Sequence, residues 1–209
     1  MKKRFLLGWA EAVASAIAVI CLGSFLVVKI EARLFNFTEQ VKLTAIDAAS
    51  TALDRHAVPR SSLRRPPAPR PGDLLGWLKI PRVKISAAII EGTAAKELRK
   101  AIGHVPGTAV PGQSGNIALA AHRDSFFHGL KRIRKGDEID LLSFAGERAY
   151  RVSSIEIVPP TTVSVLREED RSVLTLLTCY PFNWIGSAPS RLVVRALPID
   201  PPRSRVRRR

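Results

Sequence analysis

A thiol and a guanidinium supply the first candidates for chemistry in this sequence. Cys179 follows Val173–Thr178, an apolar run rich in β-branched residues that predicts a buried strand ending at the thiol. A loop containing Pro, Asn and Gly comes next, and a second apolar run begins at Arg191. Two neighbouring strands would then present both groups at one edge of a sheet. A thiolate is a good nucleophile, and a fixed guanidinium beside it can stabilise developing negative charge.

The third candidate is His122, which closes another apolar run, Ile117–Ala121. A cysteine can attack a carbonyl to give a thioester, and an imidazole can protonate the leaving amine and later deprotonate the incoming nucleophile. Arg191 could hold the tetrahedral oxyanion or position a peptide backbone. Thr178, next to the cysteine, is a candidate for orienting the peptide or Arg191. These residue types favour a cysteine-dependent acyl-transfer enzyme.

Structural roles are the alternative for each of these residues. A lone cysteine is often a small buried core residue, and a histidine at a strand end often makes only structural hydrogen bonds. The chain has two cysteines, and Cys21 lies in an apolar run expected in the bilayer, so an exported domain would carry an unpaired thiol. The spacing of Cys and His is poor for a zinc site, and no Gly-rich phosphate loop or dinucleotide fingerprint is present.

Short strands must position these groups. The pattern predicts a short helix at Ala94–Ala101, a helical turn at Phe126–Leu130 and an irregular connection at Gly103–Gly115. The predicted strands are Leu75–Ile80, Ala87–Ile90, Ile117–Ala121, Glu138–Leu142, Ala149–Val158, Val173–Cys179 and Leu192–Leu197. Seven or eight strands in about 130 residues predict a mainly β fold, a closed or nearly closed barrel.

The N-terminal part predicts a membrane anchor. Met1–Arg4 is basic, and Phe5–Val28 is an apolar stretch of 24 residues interrupted by Glu11. About 20 apolar residues span a bilayer, and basic residues stay on the cytoplasmic side. We therefore expect a single-pass protein of the cytoplasmic membrane with its N-terminus inside and its folded domain outside. A cleaved signal peptide is the alternative, although the run is long for one.

Composition divides the chain into four segments. Residues 1–30 form the predicted cytoplasmic tip and anchor, 31–72 a helical stalk and a Pro- and Arg-rich linker, 73–200 the folded domain, and 201–209 a basic tail. The net charge of +15 is concentrated at the ends, because residues 1–72 carry 11 Lys and Arg against 5 Asp and Glu, and the tail adds five Arg. The folded domain is nearly balanced, which argues against a nucleic-acid partner.

Several motifs resemble those of sortases. Thr175–Cys179 reads TLLTC and matches the sortase TLxTC motif, with Arg191 shortly downstream. The segment Ala121–Ile139 is similar to the region around the sortase catalytic histidine, most of all in class D members. GHVPGTAVPGQSGNIALAAHRD and GWLKIPRVKISAAIIEGT also fit the family pattern, and the resemblance covers roughly Leu74–Pro198. Ala121 is a departure, because a Gly often precedes the histidine.

The resemblance implies a sortase-type β-barrel and a transpeptidase that cleaves an LPxTG- or LPxTA-like sorting signal after Thr. It implies that Cys179 forms the thioacyl enzyme, that His122 is the acid and base, and that Arg191 stabilises the oxyanion. The loop Val163–Asp170 corresponds to the signal-recognition region, with Val163, Val165 and Leu166 as substrate-binding residues.

The implied partners are secreted polypeptides that carry a C-terminal sorting signal and an amine acceptor of the cell envelope or of another protein. No organic cofactor or metal is expected; some relatives use calcium, but no acidic cluster here argues for it. Two alternatives stay open: a thiol peptidase that hydrolyses the same signal, and an anchored, catalytically silent module that binds it.

Overall fold

The computed structural model describes residues 68–199, together with Ser15, Ile17, Val19 and Gly23, which are helical. Apart from those four positions, the predicted anchor lies outside the described residues, as do the stalk, most of the linker and the basic tail. Within the described part of the chain, no helix combines the length and the apolar composition needed to cross a bilayer.

Residues 68–199 form eight strands and one short α-helix. In chain order they are β1 (Leu74–Ile80), β2 (Ile85–Glu91), α1 (Ala95–Lys100), β3 (Ile102–His104), β4 (Asn116–Ala120), β5 (Glu138–Ser143), β6 (Gly146–Val158), β7 (Val173–Tyr180) and β8 (Ser190–Pro198). Turns of 3₁₀ helix lie at Pro81–Val83, His128–Arg132 and Val163–Leu166.

The strands close into a barrel in the order β1-β2-β3-β4-β7-β8-β6-β5, with β5 pairing back to β1. The β2–β3 and β4–β7 pairs are parallel, and the other pairs are antiparallel. The prediction of a mainly β, closed barrel with few helices is therefore confirmed. The parallel β4–β7 pair is the important one for function, because it makes direct neighbours of two strands far apart in sequence.

Side-chain alternation gives each central strand an inner and an outer face. Along β7, Leu174 and Leu176 belong to the main buried cluster inside the barrel, and Leu192, Val194 and Ala196 do so along β8. The outer face of β7 is covered as well, since Thr175 is fully buried. A strand buried on both faces reads as a continuous apolar run, which is why this segment stands out in the sequence.

The predicted irregular connection Gly103–Gly115 is wrong at its start, because Gly103 and His104 belong to β3. A strand of three residues is too short to show an alternating pattern, and only its two neighbours define it. Gly103 allows α1 to pack against this strand: a Cβ there would overlap the carbonyl oxygen of Gly92 and Cδ2 of Leu98. The connection from residue 105 to 115 is irregular, as expected.

Candidate active site

Cys179 and Arg191 face each other across two adjacent strands. Their Cα atoms are direct partners in the antiparallel β7–β8 pair, where Cβ atoms of opposed residues lie about 4.5–5.5 Å apart. Both alternate with the buried interior residues of their strands, so both lie on the outer face of the barrel. The strands are slightly longer than predicted, because β7 continues through Tyr180 and β8 begins at Ser190. Cys179 is therefore the second-last residue of β7, and Arg191 is the second residue of β8.

His122 reaches the same region from β4. Ala120 is paired with Leu177 of β7, and the amide of Ala121 donates to the carbonyl of Leu177 at 3.3 Å. Continuing this parallel register by two residues places His122 level with Cys179. The carbonyl oxygen of His122 accepts hydrogen bonds from the amides of Ser125 and Phe127, both at 3.3 Å, which fix the chain where it leaves the strand.

A pocket of about 420 Å³ joins the three residues. Cys179, His122 and Arg191 line it, as do Thr178, Val163, Val165 and Leu166, so the structure brings together all seven residues that the sequence analysis named. Its other walls are mostly apolar and come from the following residues: Thr93, Leu98, Val105, Ala120, Ala121, Val158, Pro159, Pro160, Thr162 and Leu177. An extended peptide with apolar side chains fits such a surface better than a charged one does.

The Arg191 guanidinium retains unused donors at this pocket. Nη1 donates to the carbonyl oxygens of Ser190 at 3.0 Å and Ala188 at 3.3 Å. Among the described residues, Nε and Nη2 have no hydrogen-bond partner and no carboxylate lies within ion-pair distance. The pocket lining holds no Asp or Glu. A guanidinium has five N–H donors in a fixed fork, so Arg191 can still bind a carbonyl oxygen or an oxyanion.

The thiol and the imidazole are also unengaged. In the part of the chain described, no hydrogen bond joins the Cys179 Sγ to the His122 ring or either group to another side chain, and His122 is exposed. Hydrogen bonds of catalytic groups are often long in a free enzyme and tighten when substrate binds. Across residues 68–199, no group of three or more His, Cys, Asp or Glu side chains could hold a metal ion.

Thr178 does not make the contact to Arg191 that is one of its two expected roles, and the other, toward the peptide, stays a prediction. Its side chain is almost fully buried, and its hydroxyl donates to the carbonyl oxygen of Ala121 at 2.8 Å rather than bonding to Arg191. Ala121 directly precedes His122 in the chain. The hydroxyl therefore ties the strand that carries the thiol to the segment that carries the imidazole.

Sequence reasoning missed Arg123, which clamps the loop between β7 and β8. Its Nη1 donates to the carbonyl of Pro181 at 3.0 Å, and its Nη2 donates to those of Trp184 at 2.6 Å and Gly186 at 3.2 Å. This loop links Cys179 to Arg191, so the residue after the imidazole holds the connection between the other two groups. The only signal in the sequence is its place next to His122, and nothing local links it to residues 181–186.

The arrangement can support cysteine-dependent acyl transfer, because a thiol can attack a carbonyl, an imidazole can transfer a proton and a guanidinium can bind an oxyanion on the outside of a closed β-barrel. The family model described as the Sortase domain matches residues 78–199, which is more than half of the chain. The chain therefore belongs to the sortase family. Sortases are cysteine transpeptidases, so the protein is an enzyme of that kind.

Individual relatives agree with this assignment. Sortase D of Bacillus subtilis is 28% identical over 183 residues, which cover 87% of this chain and 92% of that protein. A sortase D5 transpeptidase from Clostridium perfringens is 27% identical with a TM-score of 0.58, over 64% of this chain and 83% of that one. Sortase C of Clostridium perfringens, solved with the C-terminal cell wall sorting motif, is 29% identical with a TM-score of 0.59, over 78% and 90%.

Proposed function

We propose that this chain is a membrane-anchored, class D-like sortase that cleaves an LPxTG- or LPxTA-like sorting signal and transfers the acyl fragment to an amine. The observation that carries the proposal is the pairing of Cys179 with Arg191 across β7 and β8. Both residues line one mostly apolar pocket together with His122. A Clostridium perfringens relative was solved with a cell wall sorting motif, and this supports a signal-bearing polypeptide as the substrate.

The first half-reaction forms a thioester. The Cys179 thiolate attacks the carbonyl carbon of the signal threonine, and a C–S bond forms while the carbonyl oxygen becomes an oxyanion that Arg191 stabilises. The C–N bond then breaks, and His122 gives its proton to the leaving amine. Val163, Val165 and Leu166 contact the apolar residues of the signal upstream of the scissile bond.

The second half-reaction regenerates the enzyme. An acceptor amine attacks the thioester carbonyl and loses a proton to His122, and the new amide leaves as the Cys179 thiolate departs. Attack by water in place of the amine would give a peptidase. The acceptor's amine therefore decides between transfer and hydrolysis, and both follow from the same acyl enzyme.

Intact-mass spectrometry of the full chain in detergent micelles tests the chemistry. We expect incubation with LPxTG- or LPxTA-type peptides to add the mass of the N-terminal peptide fragment, and Cys179→Ala to show no such adduct. Adding an amine such as triglycine should convert the adduct into a ligated product. If the hydrolysed peptide acid is the only product in the presence of the amine, the result would support a peptidase. Peptide binding without an adduct or cleavage by the folded protein would support the silent binding module.

The anchor and the exported location form the second part of the proposal. They rest on the apolar stretch Phe5–Val28 behind a basic N-terminus, with 31–72 as stalk and linker, 73–200 as the catalytic domain and 201–209 as a basic tail. We expect the full chain to resist alkaline extraction from membranes and to be digested by protease added to intact spheroplasts. Protection from the protease would refute the orientation, and release at alkaline pH would refute the anchor; a chain lacking residues 1–30 is the matched control.

A further inference from the structure

The loop between β6 and β7 forms one wall of the pocket but has little structure of its own. It contributes Val163, Val165 and Leu166 to the lining, and its regular structure is the single 3₁₀ turn Val163–Leu166. One such turn is not stable alone, because fixing its dihedral angles gains only one or two hydrogen bonds. Contacts from the barrel must therefore hold the wall in place.

Asn116 supplies those contacts from the first residue of β4. Its side-chain Nδ2 donates to the carbonyl oxygens of Val165 at 2.9 Å and Arg167 at 3.0 Å. Two carbonyl acceptors require the NH₂ end of the amide, so these partners fix which way the group faces. The residue is 2% exposed, so its amide is shielded from water, whereas the two carbonyls that it binds lie on a half-buried and an exposed residue of the loop.

Thr175 holds the other end of the same amide. Its hydroxyl donates to Oδ1 of Asn116 at 2.7 Å, and the residue is fully buried. Asn116 begins β4 and lies six residues before His122, which follows the end of that strand, and Thr175 lies four residues before Cys179 on β7. The strand that leads to the imidazole and the strand that carries the thiol therefore also carry the groups that fix the pocket wall.

We propose that Asn116, oriented by Thr175, is a positioning residue that holds the loop segment from Val163 to Arg167 in the shape that receives the substrate. The inference deepens the proposed function and rests on it for the identity of the substrate. Asparagine suits the position because one planar group gives two donors to the loop and one acceptor to Thr175. A carboxylate there would set an oxygen against two carbonyl oxygens, and an alanine would remove the bonds to all three partners, of which the Thr175 hydroxyl is fully buried.

A contact from β8 supports the same loop and is weaker than the hydrogen bonds from Asn116. Arg195 Nη2 pairs with Glu169 Oε1 at 2.5 Å, with side-chain exposures of 27% and 31%. Solvent reaches both groups, so their attraction is reduced. The buried amide of Asn116 is consequently the main point of attachment.

The first test measures loop order without any substrate. Hydrogen–deuterium exchange of the full chain in micelles should show peptides covering 161–171 exchanging at least about tenfold faster in Asn116→Asp than in the wild type, because the loop loses both of its bonds. Peptides covering 173–180 should be unchanged. Ser86→Ala is the matched control, since it removes a hydrogen bond from Trp77 Nε1 (2.9 Å) between β1 and β2, across the barrel. Equal exchange of 161–171 in Asn116→Asp and the wild type would overturn the proposal.

Thr175 provides a second pair of variants in case Asn116→Asp does not fold. Thr175→Val removes the hydroxyl at constant shape, whereas Thr175→Ser retains it. We expect Val to speed the exchange of 161–171 and Ser to restore slow exchange. Slow exchange in both variants would show that the hydroxyl does not orient the amide.

The second test separates positioning from catalysis. The wall contacts substrate before and during the reaction, so Asn116→Asp should raise KM by about tenfold and leave kcat within about threefold. A fall in kcat at unchanged KM would refute the positioning role. Failure of the wild type to form an acyl enzyme with any peptide would instead refute the proposed function, and the exchange result would still decide whether Asn116 orders the loop.

Discussion

Replacing Arg123 should test whether the loop between β7 and β8 must be held for the reaction to proceed. Arg123→Met keeps an apolar stem and removes all three hydrogen bonds to the carbonyls of Pro181, Trp184 and Gly186. The bond to Pro181 is partly buried and the other two are exposed. Allowing about 1 kcal/mol for the first and about 0.5 kcal/mol for each of the others gives about 2 kcal/mol of lost loop stabilisation.

That loss converts into a rate effect if the reaction requires the held loop. About 1.4 kcal/mol corresponds to a tenfold change in rate, so kcat/KM should fall by as much as about 30-fold, and by less if the freed loop still populates its held form. The global free energy of unfolding should change little, because a surface loop can open locally while the barrel stays closed.

Steady-state cleavage of a fluorescence-quenched signal peptide is the assay. Arg132→Ala is the matched control, since it removes another arginine side chain that is exposed and makes no hydrogen bond or ion pair among the described residues. Arg123→Lys should be intermediate, because an ammonium cannot reach three carbonyls in a fork. A value of kcat/KM for Arg123→Met within twofold of the wild type would refute the coupling between the clamp and the site.

Three further substitutions probe different parts of the molecule. Arg191→Ala should lower kcat/KM on the order of 10²–10³-fold, as expected for the loss of an oxyanion donor, and Arg191→Lys should recover only part of the lost kcat/KM. A loss of kcat/KM below twofold in Arg191→Ala would show that Arg191 does not stabilise the oxyanion. Thr178→Val should lower the free energy of unfolding by about 1–3 kcal/mol because the carbonyl of Ala121 is left unpaired, while Thr178→Ser should not; equal urea midpoints for the two would contradict this. The Arg82 guanidinium, with help from the backbone amide of Arg134, lowers the pKa of Asp137 below its usual value near 3.8, so the ionised carboxylate stabilises the fold. Asp137→Asn should therefore be less stable than the wild type at neutral pH, and the difference in unfolding free energy should persist above about pH 4 and disappear as the pH falls through the lowered pKa; a difference that is constant with pH would show another cause.

The sequence predicts the central strands well because their surroundings are extreme. β7 is buried on both faces and reads as an unbroken apolar run, and Cys179 and Arg191 are conspicuous because one follows such a run and the other precedes one. Strand β3 has no comparable signal, since three residues cannot establish a period and the strand is defined by its two neighbours.

The supporting polar residues could not be predicted in the same way. Arg123 and Asn116 bond to loops 49 to 63 residues away, and hydrogen bonds of that span depend on the closed barrel rather than on local pattern. Asn116 is the first residue of a strand, where an asparagine is equally typical of a turn. Thr178 shows the same limit within a recognised motif, because its place beside the thiol suggested a role toward the peptide or Arg191, and its hydrogen bond goes to Ala121.

The alternation of side chains along β7 bears on how such an enzyme can diversify. Leu174 and Leu176 face the packed interior, whereas Leu177 and Cys179 face the pocket on the outside. A substitution of Leu177 can change which peptide the pocket accepts without requiring the interior to be repacked, whereas Thr175 on the same face is fully buried and bonded to Asn116. Change of substrate along this strand is therefore confined to one outward position, and a saturation-mutagenesis survey of β7 should show tolerance at Leu177 and intolerance at Thr175 and Cys179.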